Sequence, residues 1–203
     1  MTMIKRLNNG SLAEAFNILK AGGIIAFPTD TVYGIGAMPF NKAAVQKLYR
    51  IKKREKKKPV ALLISSKKMA GKFAMTIPSK AKKLITKHWP GPLTLIFKKR
   101  RSVPDFLTSR LSTIGIRMPK NDTALKLIKK AGGALAVTSA NVSGNEPAVL
   151  AGQIKGLKGI DLIIDGGKCK IGIPSSVVLV GKDKLAIIRK GPVKQIEKAR
   201  LSL

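Results

Sequence analysis

An α/β or α+β domain around one mixed sheet is the fold class this sequence predicts. Three observations point to it. Short buried-strand patterns alternate with amphipathic helical patterns in no strict order. No repeat, low-complexity linker or composition shift marks a second domain, so residues 1–203 read as one unit. Apolar residues make up 44% of the 203, the level of a globular chain long enough to bury its own core.

The elements follow in order. Residues 11–19 are expected to be helical: Ser11 and Glu14 have capping-box spacing, and Leu12, Ala15, Phe16 and Leu19 form one stripe. Gly22 and Gly23 end that helix, and 24–27 is a short buried strand stopped by Pro28. Asn41 caps a second helix that carries Val45, Leu48, Tyr49 and Lys52 at helical spacing. Pro59 opens a strand at 60–64, 80–87 is a helix, and 93–97 and 114–117 are strands. Residues 122–130 form a helix ended by Gly132 and Gly133, and 135–138 is a strand that runs into a polar loop. The last strands are 162–164, 176–180 and 185–188.

Composition narrows the function classes. Forty Lys and Arg against ten Asp and Glu give a formal net charge of +30, a field that attracts nucleotides, pyrophosphate or RNA. The plain alternative is a solvated cationic surface, since the lysines are scattered from Lys5 to Lys198. Six Phe, two Tyr and one Trp make a poor base-stacking platform. One cysteine, Cys169, excludes an internal disulfide, and with the single His88 it leaves no structural zinc set. The first residues lack the apolar core of a signal peptide, and no apolar run approaches the ~18 residues of a membrane span. A reducing, cytoplasmic setting is expected.

Polar clusters sit directly after expected strands, where open sheets bind ligands. The first is PTDTVYGIG at 28–36, suited to a small polar ligand, or else a turn capping its own backbone. The second is KKREKKK at 52–58, able to clamp a triphosphate, or else a solvated basic loop. The third is TSANVSG at 138–144, with four small hydrogen-bonding side chains, or else an Asn/Ser/Gly turn. The fourth is PSSVV at 174–178 with Arg189 downstream, a residue able to hold a carboxylate or phosphate with two parallel bonds. WPGPLT at 89–94 reads as a stiff structural segment in which a cis peptide is possible. Asp30 and Asp165 are too isolated in sequence to suggest a carboxylate pair, and no P-loop occurs.

Taken together these strings resemble the YrdC-like family of L-threonylcarbamoyladenylate synthases. The likeness runs from about Ser11 to Gly191 through GGIIAFPTDTVYGIG, LYRIKKR before KP, WPGPLT, IGIRMP, TSANVSG, PSSVV and RKGPV. Each string is weak alone, and their order and spacing are specific. The resemblance implies a twisted mixed sheet flanked by helices around a large, positively charged cavity. It implies the short, single-domain form. It implies a nucleotidyltransferase that makes threonylcarbamoyl-AMP and pyrophosphate from L-threonine, bicarbonate or CO2, and ATP. Partner proteins would pass the threonylcarbamoyl group to a tRNA adenosine.

Residue roles follow from the same likeness. Thr31, Arg117 and Ser175 are expected to contact L-threonine, with Arg117 on its carboxylate. Lys52 and Arg54 match the family's K-x-R cations and are assigned to the ATP phosphates, with Lys58 nearby. Ser139, Asn141 and Ser143 are expected on the nucleotide, as is Arg189. Mg2+ is expected to come with ATP, because the sequence offers no carboxylate cage, and no protein metal site is assigned. Fixed cations suit a step whose barrier is charge growth on phosphates, so no dedicated protein nucleophile is needed.

Two departures from the family pattern stand out. Glu55 occupies the place where many relatives have proline, and Pro174 the place where many have Glu. The lysine-rich loop also lets Lys56, Lys57 or Lys58 share the phosphate role. The rival reading is a protein that binds double-stranded or ribosomal RNA through the same basic cavity, in a salt-dependent, sequence-blind way. Thr31, Arg117 and Ser175 would be superfluous for that. A carbamoyl-transfer module, as in hydrogenase maturation proteins, is a further rival, but no acylphosphatase-like or zinc-finger segment accompanies it here.

Overall fold

The computed structural model describes residues 2–52, 59–142, 144–154, 156–182 and 184–194. Ten strands among them form one mixed sheet: β1 (Met3–Arg6), β2 (Ile25–Phe27), β3 (Gly34–Ala37), β4 (Ala61–Ile64), β5 (Leu93–Lys98), β6 (Thr113–Arg117), β7 (Ala134–Ser139), β8 (Leu162–Asp165), β9 (Ser176–Val180) and β10 (Leu185–Arg189). Their spatial order is β1-β8-β2-β3-β7-β4-β6-β5-β9-β10. The pairs β1/β8, β8/β2, β4/β6 and β5/β9 are parallel, and the others are antiparallel. The helices are α1 (Asn9–Lys20), α2 (Lys42–Ile51), the single turn α3 (Ala70–Phe73), α4 (Ser79–His88) and α5 (Asp122–Lys130).

Side chains alternate across a strand, so each sheet face has its own fate. On one face Ile35, Leu62, Ile64, Leu93, Leu95, Ile114 and Ile116 pack beneath Ala44, Val45 and Leu48 of α2 and Ala81 and Ile85 of α4. On the other face Phe27, Leu63, Leu135, Leu162 and Ile164 pack beneath Ala15 and Leu19 of α1 and Ala124, Leu127 and Ile128 of α5. The second cover reaches only about half of the sheet. Where it stops, Gly34, Ala61, Gly115, Thr94, Ile96 and Val177 line a cavity.

Two strands have no counterpart in the sequence reading. β1 leaves all four residues exposed at a sheet edge, so it lacks any apolar alternation to detect. β3, with the sequence GIGA, reads in the sequence as part of a Gly-rich polar loop. Its glycines make room for side chains of the neighbouring strands. A Cβ on Gly34 would stand 2.7 Å from Val137 Cγ1, and one on Gly36 would stand 2.9 Å from Phe27 Cε1. The strand is held by pairing with β2 and β7 on its two sides.

The first helix starts earlier than 11, and its cap differs. Asn8 is the N-cap: its Oδ1 accepts from Ser11 N at 2.8 Å, and Ser11 Oγ accepts from Asn8 N at 2.9 Å. Glu14 instead pairs with Lys5 at 2.6 Å. The serine therefore closes the capping box from its third position rather than opening it. Asn8→Ala removes this cap, which is worth about 1 kcal/mol. Thermal unfolding should show a Tm lower by about 2–4 °C. The second helix is capped by Asn41, as the sequence predicts, through Ala44 N at 3.0 Å.

Candidate functional site

The cavity on the uncovered half-face has a volume of about 370 Å3. Its walls come from strand ends and from the loops that follow β2, β7 and the segment before β9. Thr31, Arg117, Ser139, Ser175 and Arg189 all line it. Arg117 and Arg189 are the charged side chains among its described lining residues.

Arg117 ends β6 and is 5% exposed. Its Nε donates to the Gly91 carbonyl at 3.0 Å and its Nη1 to Thr31 Oγ1 at 2.8 Å. Its Nη2 is paired with Asp30 Oδ1. Thr29 Oγ1 donates to the Val32 carbonyl at 2.6 Å. The Thr31 hydroxyl, 3.0 Å from Thr29 Oγ1, is therefore the donor in that pair and keeps its own oxygen for Arg117. The Gly91 carbonyl is set by the turn after α4, which contains a cis Trp89–Pro90 bond and a Gly91 N to Met118 carbonyl bond of 2.8 Å. WPGPLT thus delivers one partner of the arginine. Burial pulls the Arg117 guanidinium below its ordinary pKa, Asp30 opposes this, and the like charge of Arg189 adds to it. A guanidinium keeps its proton in proteins, so the shift marks the cost of burying this charge.

Beside this group lies a second. Arg189 Nε donates to the Ser175 carbonyl at 3.0 Å and its Nη2 to Ser175 Oγ at 3.2 Å. Thr94 Oγ1 is 2.8 Å from Ser175 Oγ, and both hydroxyls are buried. The registers Leu95↔Ile116 and Thr94↔Val177 set Thr94 between Arg117 and the Ser175 segment. The two arginines and three hydroxyls make one polar pole, suited to a carboxylate or phosphate.

The third group forms at the end of β7. Lys52, at the C-terminus of α2, is 2% exposed. Its Nζ donates to the Ser139 carbonyl at 2.9 Å and to Asn141 Oδ1 at 2.6 Å. Ser139 Oγ donates to the same Asn141 oxygen at 2.6 Å, and Asn141 Nδ2 donates to the Val142 and Asn145 carbonyls. Ser139 is the member of this knot that reaches the cavity wall. Arg54, Lys58 and Ser143, with Lys56 and Lys57, lie outside the described residues.

Sequence reasoning missed Asp30 and Thr94. Both stand in strings the sequence singles out, PTDTVYGIG and WPGPLT, but Asp30 looks isolated in sequence. Its partner lies 87 residues away in the chain. Among the described residues no group of three His, Cys, Asp or Glu can hold a metal ion. No helix among them is long and apolar enough to cross a membrane.

Tyr33, under the same loop, is buried and donates to the Gly167 carbonyl at 2.8 Å. Its phenol is pushed up to about 12, chiefly by burial. A raised folded pKa means the stabilisation is fully present below the ordinary value of 10.0 and is lost as pH climbs through about 12. Tyr33→Phe should flatten this alkaline limb of a stability–pH curve measured by denaturant unfolding.

A family model described as telomere recombination, spanning the Sua5, YciO and YrdC proteins, matches residues 17–191. The chain belongs to this family. It is 35% identical over 198 residues to the threonylcarbamoyl-AMP synthase of Pyrococcus abyssi, covering 96% of this chain and 58% of that relative. It is 38% identical over 196 residues to a putative threonylcarbamoyl-AMP synthase of Methanocaldococcus jannaschii, covering 94% and 92%. The crystal structure of Pyrococcus abyssi Sua5 complexed with L-threonine superposes with a TM-score of 0.86 at 34% identity, covering 93% of this chain and 56% of that one. The chain therefore spans little more than half of the Pyrococcus family member and nearly all of the Methanocaldococcus one.

Proposed function

We propose that this chain is an L-threonylcarbamoyladenylate synthase, forming threonylcarbamoyl-AMP and pyrophosphate from L-threonine, bicarbonate or CO2, and ATP. The observation that carries the reading is the polar pole of the cavity. Arg117, held by Asp30, Thr31 and the Gly91 carbonyl, stands beside Ser175 and Arg189 in a chain whose fold matches a relative crystallised with L-threonine. Relatives named as synthases favour this reading over the RNA-binding one.

In this reading Arg117 takes the threonine carboxylate, and Thr31 and Ser175 fix the rest of the amino acid. The neutral amine adds to CO2 and loses a proton, giving a carbamate. A carbamate oxygen attacks the α-phosphorus of ATP, the bond to the bridging oxygen breaks, and pyrophosphate leaves with the electron pair. Lys52 supplies fixed positive charge near the nucleotide, Ser139 and Asn141 position it, and Arg189, bonded to Ser175, stands between the nucleotide and the threonine carboxylate and supplies charge to both. Arg54, Lys58 and Ser143 belong to the same nucleotide assignment. Mg2+ enters as part of the MgATP substrate. The product then requires transfer proteins that carry the group to tRNA, and the work is assigned to the cytoplasm.

The test is incubation of the protein with ATP, Mg2+, bicarbonate and L-threonine. Pyrophosphate release that needs both threonine and bicarbonate, with a product of the mass of threonylcarbamoyl-AMP, is the expected result. No release from a folded, ATP-binding preparation would overturn the reading.

A further inference from the structure

The cavity has to hold two anions of very different charge: a carboxylate and a polyphosphate. Arg189 lies close enough to disfavour the charge on the Arg117 guanidinium. A pair of arginines beside three hydroxyls is, by chemistry alone, also a good phosphate site. Asp30 changes that. It is 5% exposed, and its Oδ1 is paired with Arg117 Nη2. Its other oxygen, Oδ2, is buried and accepts no hydrogen bond from the described residues. Among the described residues this side chain caps no helix and ties no loop, and its hydrogen-bond partner is the Arg117 guanidinium.

We infer that Asp30 is a positioning and specificity-determining residue: it orients Arg117 and cancels its charge, so that this pole accepts a monoanionic carboxylate and repels phosphate. The inference rests on the reading that Arg117 takes the threonine carboxylate. Its physical basis is that the Arg117–Asp30 pair is neutral as a unit while its N–H groups keep their directions. A carboxylate needs only those directions and one compensating charge, which Arg189 supplies. A phosphate dianion brought to the same place meets the buried Asp30 carboxylate one guanidinium away, in surroundings that screen it little. Selectivity between ligands is commonly built by such a repulsive element as well as by attractive ones.

Steady-state formation of threonylcarbamoyl-AMP, followed by mass, tests this with inorganic phosphate as the probe. Asp30→Asn is expected to raise the KM for L-threonine at least tenfold and to leave the KM for ATP within twofold. Inorganic phosphate should become a competitive inhibitor against threonine, with an inhibition constant at least tenfold below that of the unaltered protein. Adding Arg117→Gln to Asp30→Asn should abolish this phosphate sensitivity while the threonine KM stays high. If Asp30→Asn does not fold, Asp30→Glu carries the test: it keeps the charge, displaces the guanidinium, and should raise the threonine KM without admitting phosphate. A purely structural role would lower threonine and ATP use together and leave phosphate inhibition unchanged, and that result overturns the inference. So does a threonine KM unchanged in Asp30→Asn. A threonine KM unchanged in Arg117→Gln alone would instead sink the carboxylate reading beneath it.

Discussion

Arg117→Ala is expected to weaken threonine-dependent pyrophosphate release severely while ATP still binds. The side chain holds three of its partners within the protein, at Gly91, Thr31 and Asp30, and is almost wholly buried. Losing a charge-assisted contact made to the substrate costs about 1.5–3 kcal/mol, and the misplaced Thr31 adds to it. A fall in kcat/KM for threonine of about 100-fold or more follows. Stability suffers too. Removing one partner of a buried ion pair leaves the other charge uncompensated, at a cost of about 3–5 kcal/mol. Two measurements separate the effects. Denaturant unfolding reads the stability loss, and thermal shift by threonine against ATP reads the binding loss. A variant that keeps its threonine shift would remove Arg117 from the site.

How far the sequence could lead is visible in single residues. The amphipathic helices and the buried strands were legible because their side chains repeat with a period, as in α2 and α5. β3 was not, because its glycines leave the space to Phe27 and Val137 of other strands. The polar clusters were legible as clusters, and the cavity does gather Thr31, Ser139, Ser175 and Arg189 from three of them. What each does locally was hidden. Lys52 reads as the first residue of a solvated basic run, yet it is buried and bound to a loop 87 residues on. Asp30 reads as a lone turn residue, yet it neutralises the arginine at the centre of the pole. Both facts depend on long-range pairings that β4, β6 and β7 create and that no local pattern records.

Gly191 carries the second large effect, and it shows why a motif glycine needs a structure to explain it. In the string RKGPV it looks like an ordinary turn residue after β10. In the fold it lies against the backbone that carries Ser175. A Cβ added there would stand 2.5 Å from Ser176 N, 2.7 Å from the Pro174 carbonyl oxygen and 2.7 Å from the Ser175 carbonyl carbon. All three are main-chain atoms, so no side chain can swing aside to relieve the contact. Ser176 N is committed to the Pro92 carbonyl at 3.0 Å, and Ser176 Oγ accepts from Val193 N at 3.0 Å, which ties both sides of the contact in place. Gly191→Ala must therefore push the Ser175 segment away from Thr94 and Arg189. Overpacking of this kind costs about 1–3 kcal/mol, expected as a lowered Tm. The same displacement moves the Ser175 hydroxyl out of the 2.8 Å contact with Thr94. Misplacing a positioning group by about 1 Å can cost about 100-fold in rate, so the threonine KM and kcat should both deteriorate while ATP binding at the Ser139 side persists. A Gly191→Ala protein with unaltered threonine kinetics would show that Ser175 is not held in place for the substrate.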